Sequence, residues 1–205
     1  MKRIISGVLA LGVCLTPLTV PLMVRPSWGQ SENLLEEVKR LLQQAAQQTQ
    51  QGQPLQAIET YQQILAIARQ LKDRKSEATA LFGIGLNYNN IGRKQEALNF
   101  YNQAIAILRQ VNDRAGEAAT LTNIGGIYYR IGQPQEALKY YYQALPILRE
   151  VNDRAGEAAT LNNIGAVYDS IGEPQEALKY YSQALPIMRE VNDRAGEAAT
   201  LNNIG

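Results

Sequence analysis

The sequence has no histidine and a single cysteine, Cys14. Those two gaps remove the imidazole base, the thiol nucleophile, any disulfide and the usual nitrogen and sulfur zinc ligands, because Cys14 itself lies in an amino-terminal leader. Nucleophilic and metal-assisted catalysis are therefore not expected, and neither is a cofactor. Asp and Glu are plentiful and paired carboxylates can do acid/base work, but here they recur at matching places along the chain, as solvated faces and helix starts do. The chain is not expected to be an enzyme. A basic excess is missing too: Lys2, Arg3 and Arg25 fall in the first 29 residues, which hold no acid, and the remainder is slightly acidic. That leaves no concentrated basic face for nucleic acid.

What is present begins with a leader. Lys2 and Arg3 precede an uncharged apolar run over 4–24, interrupted by Pro17 and Pro21. Small residues at Ser27 and Gly29 place a signal cleavage after Gly29, so 1–29 reads as a signal peptide and the mature chain as exported, periplasmic or extracellular. The alternative is an uncleaved anchor, since about 20 apolar residues can span a bilayer. That would be the chain's only membrane contact. The stretch Leu11-Gly12-Val13-Cys14 is a poor lipidation box, with bulky Val13 before the cysteine and more apolar residues after it.

A period of forty residues organises 30–205. Gly52, Gly92, Gly132 and Gly172 keep that spacing, as do Asp73, Asp113, Asp153 and Asp193, each followed by a basic residue, arginine in every case. Residues 151–165 return letter for letter at 191–205, and 111–125 differ only at Thr122. Approximate repeats are 31–73, 74–113, 114–153 and 154–193, with a partial one at 194–205. Within a period, Leu161, Ile164, Gly165, Tyr168 and Ile171 form one apolar stripe at helical spacing, closed by Gly172 in position for a left-handed cap. Pro174 suits the first turn of a second helix, whose stripe is Ala177, Leu178, Tyr181, Ala184, Leu185 and Met188. Gly165 and Ala177 let the two helices approach, with Tyr168 and Tyr181 filling wider gaps, and Pro146 and Pro186 should each bend a second helix. The aspartates before each arginine suit helix caps. Neither helix can hide its stripe alone, so the expected fold is all-α: an α-solenoid, a right-handed superhelix of stacked antiparallel helix hairpins.

The pattern Leu161-x2-Ile164-Gly165-x2-Tyr168 followed by Ala177-x3-Tyr181 and Ala184 resembles the tetratricopeptide repeat family, and it recurs in the two preceding periods. Three features depart from that family: leucine where tryptophan is frequent, no closing proline, and a period longer than 34. The longer period resembles the variant of the LGN polarity adaptors and, more loosely, of kinesin light chains, which bacterial multi-repeat proteins also use. The ends depart from the pattern as well. Residues 31–51 carry a stripe of Leu34, Leu35, Val38, Leu41, Leu42 and Ala45 beside a glutamine-rich face, as a polar capping helix does. At the other end the sequence stops at Gly205 within a fifth repeat, which suggests a piece of a longer protein and an uncapped apolar face open to self-association.

In such arrays the first helices line a concave surface. Here their outward positions carry Asn123, Asn163 and Asn203, with Asn162 and Asn202 beside them. An asparagine side chain both donates and accepts, so a ladder of them can pair with the backbone of an extended peptide. The resemblance implies that use for Asn123, Asn163 and Asn203. Three such rungs supply roughly 2–5 kcal/mol, short of the ~8 kcal/mol of micromolar binding. The remainder would come from positions where near-copies differ: Asn89 and Asn90, then Tyr129 and Arg130, then Asp169 and Ser170. The expected function is an extracytoplasmic scaffold that binds a peptide segment of a partner protein. The alternatives are the recognition part of a larger protein with a caspase-like CHAT domain downstream, which the resemblance to bacterial repeat proteins implies, and a self-associating structural module.

Overall fold

A computed structural model describes residues 27–204, with side chains from Ser31 onward, so the leader lies outside the described residues apart from the stretch that opens the first helix. The described residues form α-helices joined by tight turns, without a strand. They are α1 (Ser27–Gln50), α2 (Pro54–Leu71), α3 (Arg74–Asn90), α4 (Lys94–Gln110), α5 (Arg114–Arg130), α6 (Pro134–Glu150), α7 (Arg154–Ser170), α8 (Pro174–Glu190) and α9 (Arg194–Ile204). None of them is long and apolar enough to cross a membrane. The proposed cleavage point, Gly29, falls in the first turn of α1.

Each helix packs on the next, and each odd-numbered helix also touches the following odd-numbered one, whereas the backbones of even-numbered helices do not meet. The odd helices therefore crowd the inner side of the stack and the even helices spread along its outer side. An α-solenoid results, with one inner face built from first helices.

Local chemistry sets the turns. Leaving each first helix, a glycine takes the left-handed conformation that a Cβ disfavours: Gly92, Gly132 and Gly172 lie at φ +79, +75 and +81°. Leaving the second helices, Asn112, Asn152 and Asn192 serve at φ 55 to 57°, as asparagine tolerates better than most side-chain-bearing residues. The next residue is the aspartate that caps the following helix, with Asp113 and Asp153 accepting from the backbone N–H of Gly116 and Gly156 at 2.9 and 2.8 Å. Pro134 and Pro174 open α6 and α8 as expected, and both helices run on through Pro146 and Pro186, which point to solvent.

Inside each hairpin the glycine and the tyrosine form one joint. A Cβ on Gly125 would lie 2.7 Å from the ring of Tyr141, and one on Gly165 2.6 Å from that of Tyr181, so the ring of the second helix seats directly on the bare backbone of the first. Tyr181 thus occupies the space that Gly165 vacates rather than a gap elsewhere. Tyr168 stacks on Tyr180 at the outer edge.

Three positions of the expected stripes are exposed. Leu35 is one of them, and Ile171 has left the helix as its C-cap. Leu178 is exposed, although Leu98, its counterpart two repeats earlier, is buried.

Ion pairs run along the seam between successive hairpins. The buried carboxylate of Glu117 sits between Arg109, at 2.7 Å, and Arg114, and Arg114 reaches on to Glu150 at 3.0 Å. Glu157 repeats the arrangement with Arg149, Arg154 and Glu190. Arg114 and Arg154 of their Asp-Arg pairs are thus clasps between repeats.

Candidate functional site

The last two turns of the odd helices hold the residues singled out in the sequence. Between α5 and α7 the inner face opens into a cleft of about 380 Å³ lined by Thr122, Asn123, Gly126, Tyr129, Arg130, Tyr141 and Asn163. Four expected residues, Asn123, Asn163, Tyr129 and Arg130, are thereby brought together. Asp169 and Asn203 line a second cleft one repeat on, of about 290 Å³, between α7, α8 and α9.

The asparagines are not equivalent. Asn123 donates its Nδ2 to the carbonyl of Ala119 in its own helix at 2.9 Å, which leaves its Oδ1 for another donor. One of its two N–H donors is thereby committed, and the other remains beside Oδ1 for a ligand. Asn163 faces the same cleft with no internal hydrogen bond. Asn162 also serves the stack: its Oδ1 accepts from Thr200 at 2.8 Å and ties α7 to α9. Thr122 and Thr160 make the matching contact one repeat earlier. Asn203 lies beside the Tyr181 hydroxyl, and Asn202 is exposed on α9.

Tyr129 is half-buried and its hydroxyl reaches the carbonyl of Ala166 at 3.4 Å, so it forms the floor between α5 and α7. Arg130 donates to Asn89 at 3.0 Å, and Lys94 approaches the carbonyl of Arg130. Burial pushes the Tyr141 hydroxyl up to about 12, Arg130 opposes that rise and Tyr129 adds to it. At Tyr181 burial again raises the hydroxyl, and here the Asp169 carboxylate adds to the rise while the Asn203 side chain opposes it. The two clefts therefore share a tyrosine floor and differ in the sign of the charge at the rim.

Sequence reasoning did not find Gly126 and Tyr141 as lining residues. Their signal was the series Leu86, Gly126, Ala166 at one position of the period, where Gly126 places no side chain beside the Tyr141 hydroxyl, which would lie 3.6 Å from a Cβ there. The adjacent tyrosines 140–142 divide their roles: Tyr141 is core, Tyr140 stacks on Tyr128, and the Tyr142 hydroxyl bonds those of Tyr168 and Tyr180. Among the described residues no cluster of three His, Cys, Asp or Glu side chains is placed to hold a metal ion. Chemically, the inner face offers a guanidinium, amide oxygens and nitrogens, and phenol hydroxyls, a set suited to hydrogen-bonding a peptide.

Comparison with known proteins agrees with this architecture. The sequence model described as Tetratricopeptide repeat matches residues 33–110 and 116–190. No protein of curated function matches the sequence. Among solved structures, BtubC (BKLC) from P. vanneervenii superposes with a TM-score of 0.72 at 21% identity, over 86% of this chain and 79% of that one. A putative kinesin light chain with nearly identical repeats from Podosopora anserina gives 0.66 at 21%, over 82% and 83%. A Rap protein complexed with Competence and Sporulation Factor gives 0.74 at 20% identity. That match covers 80% of this chain but only 46% of the Rap protein. At these identities the likeness is one of fold.

Proposed function

The chain belongs to the tetratricopeptide repeat family, and from that premise we propose that it is an extracytoplasmic scaffold whose inner face holds an extended peptide segment of a partner protein. The observation that carries this reading is the cleft between α5 and α7, where Asn123, Asn163, Tyr129 and Arg130 converge over Tyr141. Polar side chains stand over a more apolar lining between packed helices and the cleft is open to solvent, so a strand of peptide can lie across it and use its own backbone groups as partners. The Rap protein in complex with its factor supports a ligand role for a stack of this shape. The exported location rests on Lys2, Arg3 and the apolar run that follows. Cell fractionation checks it, and retention in the cytoplasm contradicts it.

The binding test uses Asn123→Ala with Asn163→Ala. Neither side chain bonds another helix, so helicity and melting temperature stay within about 0.5 kcal/mol of wild type, as for surface changes. Partners captured by the wild-type chain from an extracytoplasmic fraction are lost by the double variant. An unchanged set of captured proteins contradicts the groove assignment.

A further inference from the structure

Among the described residues the arginines and the aspartates have visible structural employment, with one exception of each on the inner face. Among the described residues every arginine other than Arg130 lies within ion-pair distance of a carboxylate. Arg130 has only the neutral amide oxygen of Asn89. Every aspartate other than Asp169 accepts a backbone N–H at the start of a helix: Asp73, Asp113, Asp153 and Asp193. Asp169 makes neither a cap nor an ion pair with any described residue. It also stands in the last turn of α7, where a negative charge opposes the helix dipole and no basic residue offsets it. Arg130 stands in the last turn of α5, beside Lys94 of the preceding repeat. The two odd charges are exposed, lie on neighbouring first helices and rim neighbouring clefts.

Resting on the groove reading above, we propose that Arg130 and Asp169 select the partner segment by a charge pair: one carboxylate seated at Arg130 and one ammonium or guanidinium seated at Asp169. Packed helices stand about 8–10 Å apart, and an extended chain advances about 3.3 Å per residue. Side chains of an extended chain that face one surface are an even number of positions apart, so the acidic and basic side chains of the ligand are about two positions apart, with their own reach spanning the remainder. The tyrosine hydroxyls reinforce the choice, since Tyr141 sits under the field of the cation and Tyr181 under that of the anion. The ligand is thus a segment of mixed charge rather than an acidic tail or a basic one. Nucleic acid is disfavoured at the same place, because Asp169 repels phosphate.

The test is selection from a displayed library of random twelve-residue peptides, run in parallel on the wild-type chain and on the double charge reversal Arg130→Glu with Asp169→Lys. Neither residue caps a helix or pairs with a carboxylate or cation of the fold, so both proteins give the same circular dichroism and melting curve. Wild type enriches peptides carrying an acid and a base about two residues apart, in one fixed order along the chain. The reversed protein enriches the same spacing in the opposite order. Replacing the glutamate of a selected peptide by glutamine weakens its binding to wild type about tenfold, the loss of one charged hydrogen bond. Enriched peptides without a charge pair, or with the same order on both proteins, overturn the selection rule and leave groove binding standing. Failure to enrich any peptide overturns both.

Discussion

At the start of each first helix the same side chains return in repeat after repeat and satisfy one another, whereas in the last turn they change and make no ion pair with any described residue. The first region carries Asp113, Arg114 and Glu117, then Asp153, Arg154 and Glu157, each aspartate on a backbone N–H and each glutamate between two arginines. The second carries Asn89 and Asn90, then Tyr129 and Arg130, then Asp169 and Ser170. In an array where each unit touches only its neighbours, a residue that fixes the stacking must be repeated wherever stacking is repeated. A residue that meets something outside the array is under no such rule. Variation between near-copies therefore marks positions that the stacking does not fix.

That contrast can be broken most forcefully on the repeated side. Removing both clasps of one glutamate, Arg109→Ala with Arg114→Ala, strands the Glu117 carboxylate at 3% residue exposure with no cation. A buried charge left without its partner costs about 3–5 kcal/mol. Chemical denaturation of the double variant measures it, and a loss below about 1 kcal/mol would show that the seam is decorative. Next in size is the glycine joint. Gly125→Val places a branched side chain where Tyr141 already lies, and overpacking of this kind costs about 1–3 kcal/mol, seen as a lower melting temperature. The variable side gives the smallest effect on folding. Arg130→Ala and Asp169→Ala each change stability by less than about 0.5 kcal/mol while altering what the groove binds.

The repeated region was also the legible one. The period of forty, the helix pairs, the left-handed glycines and the aspartate caps all follow from residue type and spacing, because each depends on contacts within a few residues. Contacts between repeats were harder to read. Residues 154–164 and 194–204 have the same sequence, yet Leu161 is 1% exposed and Leu201 46%, and Ile164 is fully buried while Ile204 is 38% exposed. α8 covers the first pair, and no described helix occupies the matching place over α9. Spacing alone assigned Leu178 to the core for the same reason: it records the helix face and not what lies against it. Asn162 and Asn163 are adjacent and chemically identical, but the 100° step of the helix turns one toward Thr200 and the other into the cleft. The burial of Glu117 between two arginines was hidden because its partners come from two different turns of the chain.

The central claim is that the inner face between α5 and α7 is the binding surface. Backbone amide NMR of the isotope-labelled chain, titrated with a peptide selected on it, tests this most directly. The shifts are expected within 122–130 and 162–170, with the outer tyrosines 140 and 142 unmoved. Shifts confined to the outer face of α6 and α8, or to the exposed side of α9, would contradict the account.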